Sequence, residues 1–239
     1  MTTGTTPRER SASSPAATAS PDGIEVGALE DRPSPAGAAL EGAVEEHHLR
    51  SIVLVRHGAT QWSRSGRHTG RTDLPLDEGG REQAAAVGRR LAGRHFGLVW
   101  SSPRQRALET CRLVGYAERA EVVDDLQEWS YGAYEGLTTA QIRAERPGWQ
   151  VFLDGCPEGE TPGQVAARAD RVLVGLRAEA ESRNLETAIV FSHGHFLRTL
   201  AARWLGLEAA AGRFFALEAG RVSELGFERE VPVLASWNC

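Results

Sequence analysis

Short apolar runs alternate with amphipathic segments from residue 49 onward, and this alternation is what most limits the folds open to the chain. The runs at residues 52–55, 98–100 and 188–191 have the length and composition of buried strands. Apolar residues at helical spacing predict amphipathic helices over residues 79–95 and 162–183. Strands that alternate with helices predict an α/β fold, in which helices cover both faces of a mainly parallel sheet.

Helix-capping residues indicate where the predicted helices begin. Ser102, followed by Pro103 and Gln105, is typical of an N-cap with a capping box, so we expect a helix from Pro103 to about Gly115. Thr161, with a proline and then a glutamine after it, gives the same signal for the long helix of the C-terminal half. The remaining predicted elements are a helix over residues 196–205 and short edge strands near residues 222–227 and 233–235.

The first 48 residues differ in composition from the rest of the chain. They are rich in Ala, Ser, Thr, Pro, Gly and Glu, and their few apolar residues follow neither a helical nor a strand period. We therefore expect residues 1–48 to form a disordered tail. Residues 49–239 are long enough to bury one sizeable core, and we expect them to form a single domain.

Charge and cysteine content limit the partners and the compartment. A formal net charge of −5 gives no overall attraction to nucleic acid or to an anionic membrane, so neither partner is expected. No apolar run approaches the roughly 20 residues of a membrane span, and no export signal is visible. Three widely spaced cysteines without a CxxC pair favour a reducing compartment, so we expect a cytoplasmic protein. The sequence carries no indication of an oligomeric state.

Basic and polar residues cluster directly after the three predicted strands. Because the carboxyl ends of parallel strands meet at one edge of a sheet, Arg56, His57 and His193 are expected to lie close together. Arg106 lies near the start of a predicted helix, where the helix dipole favours anions. Arginine binds two phosphoryl oxygens at once, and a glycine after each histidine, such as Gly194, lets the backbone approach a ligand closely. This edge therefore predicts a phosphate pocket.

Histidine is a suitable nucleophile at phosphorus, because its neutral imidazole is well populated near pH 7 at an unperturbed pKa of about 6.5. Such chemistry needs no metal and no other cofactor. The leaving alkoxide needs a proton, and Glu128, in a loop with two aromatic neighbours, is the candidate donor and the later base for water. Asp124, Asp125 and Glu135 compete with it, although each is also typical of a solvated loop carboxylate.

Four segments resemble the signature segments of the histidine phosphatase (phosphoglycerate mutase-like) superfamily, in the order of that family. They are Arg-His-Gly within residues 54–60, Ser-Ser-Pro-Arg-Gln-Arg-Ala at 101–107, Glu-Trp-Ser-Tyr-Gly at 128–132 and Ser-His-Gly-His at 192–195. The resemblance covers roughly residues 50–237, and four ordered motifs are a specific signal. It implies a phosphoglycerate mutase-like, three-layer α/β/α sandwich with a mainly parallel central sheet, and a metal-independent phosphohydrolase.

The resemblance also assigns roles by position. It implies that His57 is the nucleophile and becomes transiently phosphorylated. It implies that Arg56, Arg106 and His193 bind the transferred phosphoryl group. Glu128 stands where the family has its proton donor, which then acts as the base, and this decides for it over the competing carboxylates.

Three further stretches, at residues 60–76, 154–161 and 193–198, resemble the acid-phosphatase-like and sedoheptulose-bisphosphatase-like members. By position, Ser63, Thr69 and Gly70 are expected at the substrate entrance, and Gly194 and Tyr131 beside the substrate. Phosphoglycerate mutases carry a long insertion with Lys and Arg after the glutamate motif. Here that stretch is short and free of Lys, which favours hydrolysis because water reaches the phosphoenzyme more easily.

The other histidines receive ordinary interpretations. His195 is expected beside the pocket at a helix start without a catalytic role, and His68 and His95 are expected on the surface. His193 and His195 resemble a metal-binding pair, but no further ligand follows at a useful spacing, so we expect no metal site.

The favoured function is hydrolysis of a small phosphorylated metabolite, with a sugar phosphate as the favoured substrate and inorganic phosphate as a product. A phosphoglycerate mutase-type phosphotransferase is the first alternative. The second is a catalytically silent module that binds a phosphorylated ligand. Two histidines together with Glu128 argue against that module, because pure binding needs no proton donor.

Overall fold

The structure is a computed structural model, and it describes residues 48–239. The tail expected at residues 1–48 lies outside the described residues, apart from the last of them. The described residues fall within one compact unit. Among them, no helix is both long and apolar enough to cross a membrane.

Within residues 48–239 the chain forms six β-strands and seven α-helices. The strands are β1 (Ser51–Arg56), β2 (Leu98–Ser101), β3 (Glu121–Val122), β4 (Thr187–Ser192), β5 (Val222–Glu228) and β6 (Val231–Ser236). The helices are α1 (Gln61–Arg64), α2 (Glu78–Arg90), α3 (Gln105–Val114), α4 (Thr139–Glu145), α5 (Val151–Asp154), α6 (Pro162–Arg183) and α7 (Gly194–Trp204).

The strands form one sheet in the order β3-β2-β4-β1-β5-β6. The first four strands in this order run parallel to one another. The strand β5 is antiparallel to β1, and β6 is antiparallel to β5. The prediction of a mainly parallel sheet with two short strands at one edge is therefore confirmed.

Helices cover both faces of this sheet, as the strand pattern requires. Successive side chains of a strand point to opposite faces. Val53 and Val55 of β1 pack with apolar residues of α2 and α3 on one face. Ile52 and Leu54 pack with residues of α6 and α7 on the other. The predicted three-layer α/β/α sandwich is confirmed.

The capping signals place some helix boundaries correctly and others not. Helix α6 begins at Pro162 behind the predicted capping box of Thr161 and ends at Arg183, as expected. Helix α2 ends at Arg90, five residues before the predicted end. Gly93 then adopts a φ of 79°, which is incompatible with a continuing right-handed helix.

The predicted N-cap at Ser102 is wrong. Helix α3 begins at Gln105 behind Arg104, whose side chain makes no capping hydrogen bond. The Ser102 hydroxyl accepts instead from the Arg104 amide at 3.3 Å and pairs with His193 Nε2 at 2.7 Å. The hydroxyl thus belongs to the cluster at the strand ends. The helix ends before Gly115, with a φ of 100°, as expected.

Candidate active site

Three loops meet at the carboxyl ends of β1, β2 and β4. The strand β4 lies between the other two. The His57 amide donates to the Ser192 carbonyl at 3.0 Å, and the Ser102 amide donates to the Phe191 carbonyl at 2.9 Å. These bonds hold the loops after β1 and β2 against the end of β4, and so bring the two histidines of the Arg-His-Gly and Ser-His-Gly motifs together.

The hydrogen bonds of His57 define its tautomer. Its Nδ1 lies 2.7 Å from the Gly58 carbonyl oxygen. Because a carbonyl can only accept, Nδ1 carries the proton, and Nε2 of the neutral ring keeps a lone pair. Burial, and then the positive charges of Arg106 and Arg56, hold the pKa of His57 well below its usual 6.5. At neutral pH the ring is therefore uncharged.

His193 lies next to His57, and its ring is fixed from both sides. The two ring centroids are 5.0 Å apart at an angle of 64°. Arg106 Nε donates to His193 Nδ1 at 3.1 Å, so the proton of the neutral ring lies on Nε2, which pairs with Ser102 Oγ at 2.7 Å. Burial, followed by the charge of Arg106, also lowers the pKa of His193 well below 6.5.

The Arg106 guanidinium is fully buried and holds a loop as well as His193. It donates to the carbonyl oxygens of Thr69 and Gly70 at 3.1 Å and of Thr72 at 3.0 Å. Arg106 and His193 lie beside His57, but neither residue lines the cavity that His57 borders. Together with the bond to His193, these contacts use four of the five N–H groups of the guanidinium, which leaves one N–H of Nη1 for a phosphoryl oxygen.

Arg56 carries a buried hydrogen-bond donor that has no partner among the described residues. Its Nη1 donates to the Leu217 carbonyl, whereas its buried Nε has no hydrogen-bond partner among the described residues. Gly194 lies against this guanidinium, since a Cβ added to the glycine would sit 3.0 Å from Arg56 Cζ. A buried N–H without a partner is costly, and an incoming phosphoryl oxygen would satisfy it.

The Glu128 carboxylate lies at the N-terminus of α7. Its Oε1 accepts from the amides of Trp129 and Phe196, both at 2.9 Å, and its Oε2 accepts from the His195 amide at 3.1 Å. Two of these amides belong to the first turn of α7, whose N-cap His193 makes no capping bond through its own side chain. Glu128 therefore takes over the capping of this helix, while Oε2 keeps the greater capacity for a further partner.

These groups border a cavity of about 230 Å³. Its wall contains His57, Arg56, Glu128, Tyr131 and Gly194 from the predicted site. Ser63 and Thr69 line it as well, whereas Gly70 does not. The remaining lining residues are Gly66, Arg67, His68, Thr139, His195 and Arg198.

The expectation that His68 lies on the surface is wrong. The residue is 8% exposed, and its ring packs on those of Tyr131 and Trp149 at centroid distances of 4.7 and 5.4 Å. Burial lowers the pKa of His68 to about 4. His195 also does more than begin a helix, because its Nδ1 lies 2.5 Å from the Tyr131 hydroxyl. These contacts join residues more than 60 positions apart, so local sequence patterns give no signal for them.

Within residues 48–239, no three His, Cys, Asp or Glu side chains come close enough together to hold an ion. The His193 and His195 pair has no third ligand in this part of the chain.

Two relatives of this chain are named as phosphatases. An acid phosphatase of Mycobacterium tuberculosis is 42% identical over 194 residues, which cover 80% of this chain and 92% of the relative. A sedoheptulose 1,7-bisphosphatase of Saccharomyces cerevisiae is 38% identical over 183 residues, which cover 65% of this chain and 67% of the relative. A solved structure of a Mycobacterium tuberculosis open reading frame product superposes with a TM-score of 0.74 at 42% identity, covering 79% and 97% of the two chains.

A family profile gives the same answer over almost the whole described region. The profile of the histidine phosphatase superfamily (branch 1) matches residues 52–239. These residues include all four motifs and every side chain of the cluster described above. The chain therefore belongs to the histidine phosphatase superfamily.

Proposed function

We propose that this protein hydrolyses small phosphomonoesters through a phosphohistidine formed at His57. The observation that carries the proposal is that a candidate nucleophile and a hydrogen-bond donor without a partner belong to two residues that line the same cavity. His57 presents an unprotonated Nε2, and the buried Nε of Arg56 has no hydrogen-bond partner within the described part of the chain. A phosphoryl group supplies both the electrophile and the missing acceptor.

The reaction has two steps. In the first, the Nε2 lone pair attacks phosphorus, the ester P–O bond breaks, and a protonated Glu128 gives its proton to the leaving oxygen. In the second, Glu128 takes a proton from water as the water oxygen attacks the phosphohistidine, which releases inorganic phosphate and restores Nε2. Arg56, Arg106 and His193 stabilise the charge on the transferred group. No step uses a metal or a cofactor.

The relatives support the substrate class. One is named an acid phosphatase and the other a sedoheptulose 1,7-bisphosphatase, so a sugar phosphate is the favoured substrate here. Ser63, Thr69 and Tyr131 line the cavity beside the phosphoryl pocket and are suited to contact its organic part. We also propose a cytoplasmic location, which the free thiols of Cys111, Cys156 and Cys239 support.

Trapping the intermediate tests this function. The protein is mixed with a sugar phosphate in the presence of EDTA, denatured at alkaline pH, and searched by mass spectrometry for a phosphorylated His57 peptide. His57→Ala is expected to lose the label and to lower kcat/KM by at least about 10³-fold, because the nucleophile is gone. His95→Ala, at an exposed position outside the cavity, is the matched control and should keep both.

Phosphorus NMR of the products separates the alternatives. Hydrolysis predicts free phosphate, whereas a phosphotransferase of the mutase type predicts an isomerised ester and dependence on a bisphosphorylated primer. Tight phosphate binding without turnover and without a labelled peptide would establish the silent binding module instead. Full activity of His57→Ala would remove the mechanism.

A further inference from the structure

We propose that Glu135 is a positioning residue that holds the loop of residues 66–73, here named the entrance loop, and through this loop orients Arg106. The inference rests on the proposed function, because Arg106 matters only if a phosphoryl group binds beside His57. The sequence offered Glu135 as an ordinary solvated carboxylate, and its contacts in the structure are of a different kind.

The entrance loop forms part of the cavity wall and has no regular secondary structure. Gly66, Arg67, His68 and Thr69 all line the cavity. The loop contains no α-helix, and its one sheet-like contact is an isolated bridge between Arg67 and Thr138. Side chains from other segments must therefore satisfy much of its backbone.

Glu135 binds the amide side of this loop. Its Oε1 accepts from the Gly70 amide at 2.9 Å and from the Thr72 amide at 3.0 Å. Both bonds are charge-assisted, which makes them stronger than bonds between neutral groups. Glu135 does not line the cavity, so it acts on the loop rather than on a substrate.

Arg106 binds the carbonyl side of the same few residues. It donates to the carbonyl oxygens of Thr69, Gly70 and Thr72, and its Nε donates to His193. The Glu135 carboxylate, bound to the amides, and the Arg106 guanidinium, bound to the carbonyls, thus hold the same short segment of the entrance loop. If the loop moves, the guanidinium and the imidazole it supports move with it.

The packing at Gly70 leaves no room for the loop to shift toward Glu135. A Cβ added at this position would lie 2.5 Å from the Trp129 carbonyl oxygen and 2.9 Å from Glu135 Oε2. Trp129 adjoins Glu128, the proposed proton donor. The Glu135 carboxylate consequently holds the entrance loop against the glutamate motif.

A set of three variants tests this role. Glu135→Ala removes both acceptors, and we expect kcat/KM for a sugar phosphate to fall about tenfold or more. Glu135→Gln keeps an Oε1 that accepts from the same two amides and should restore activity to within about threefold of wild type. Glu118→Ala, at an exposed position outside the cavity, is the control. Glu135→Asp shortens the side chain and serves as the loss variant if the alanine variant does not fold.

Two further readouts separate positioning from a merely structural role. The Kd for vanadate, a phosphate analogue, is expected to rise about tenfold in the loss variant, with kcat and KM both affected, because Arg106 contacts the group in ground and transition states. Amide exchange in residues 66–73 should become faster, which is measurable without any turnover.

The outcomes are distinct. A folded loss variant with wild-type kinetics and wild-type exchange overturns the inference. A glutamine variant as inactive as the alanine variant, with both folded and with wild-type exchange in residues 66–73, overturns it too, because the loss of activity would then not come through the loop. A wild-type protein that releases no phosphate at all contradicts the proposed function, whereas the exchange measurement still tests whether Glu135 holds the loop.

Discussion

At the scale of single residues, neighbouring groups determine which nitrogen of each histidine is available. The Gly58 carbonyl places the proton of His57 on Nδ1, and Arg106 Nε places that of His193 on Nε2. The two rings are therefore complementary, one with a free lone pair and the other with a proton bound to Ser102. Neither arrangement follows from residue type, because a neutral imidazole adopts both tautomers.

Gly194 leaves room for the Arg56 guanidinium because it has no side chain. A Cβ at this position would lie 3.0 Å from Arg56 Cζ and 3.2 Å from Arg56 Nε, so Gly194→Ala forces the guanidinium to move by a few tenths of an ångström. We expect the variant to stay folded while kcat/KM falls about tenfold, since small misplacements of a charge clamp are costly. Steady-state kinetics and thermal unfolding measure the two effects.

Gly163→Ala provides the matched control for this prediction. That glycine also lies in the first turn of a helix, and an added Cβ would have only Thr161 Oγ1, at 4.0 Å, as a neighbour. The control should therefore keep wild-type kinetics. Equal kinetics in the two variants would show that Arg56 tolerates the shift and that its position is not critical.

At the scale of elements, helix α7 links the fold to the chemistry. Its first turn begins directly after His193, and its free amides point at Glu128 rather than at a capping side chain of its own. The proposed proton donor thus has a second task, which is to cap a buried helix. Capping residues are usually worth about 1 kcal/mol, and charge-assisted bonds to buried amides are worth more.

These two tasks of Glu128 predict different results for two substitutions. Glu128→Ala removes all three acceptor contacts, and we expect the free energy of unfolding to fall by about 2 kcal/mol together with activity. Glu128→Gln keeps an acceptor for the Trp129 and Phe196 amides but cannot transfer a proton, so kcat should fall about 100-fold with a smaller loss of stability. Chemical denaturation and kinetics measure the pair. Equal stability losses would show that the carboxylate does not cap α7.

Elements also show what the sequence predicts well and what it does not. Local signals were sufficient for α6, whose proline and capping box lie within four residues. The same kind of signal was wrong at Ser102, because α3 begins only at Gln105 and the hydroxyl pairs with His193 Nε2, 91 positions away, as well as with the Arg104 amide. His68 failed for a similar reason, since Tyr131 and Trp149 bury it from distant segments. Local sequence patterns therefore do not predict side-chain contacts that only the tertiary fold brings together.

At the scale of the whole molecule, the parallel sheet concentrates titratable groups at one edge. Four histidines from three separate segments, His57, His68, His193 and His195, all have a pKa lowered by burial. Keeping these rings neutral suits the proposed nucleophilic attack by His57. It also lowers the free energy of unfolding at acid pH, because each ring takes up a proton more readily in the unfolded chain than in the folded one.

This difference predicts how stability depends on pH. A histidine in the unfolded chain binds a proton below about pH 6.5, whereas His68 in the fold binds one only near pH 4, the value to which burial lowers its pKa. Between these values the unfolded state holds more protons, so the free energy of unfolding falls as pH falls, by up to about 1.4 kcal/mol per pH unit for each such ring.

His68→Phe keeps an aromatic ring against Tyr131 and Trp149 but removes one titrating group. The slope of its free energy of unfolding between about pH 6 and pH 4.5 should therefore be shallower by close to that amount. Urea unfolding at a series of pH values measures both slopes, and above about pH 8 the two proteins should run parallel because His68 is neutral there in both the folded and the unfolded chain. Identical slopes on the acid side would mean that His68 takes up its proton in the fold at the same pH as in the unfolded chain.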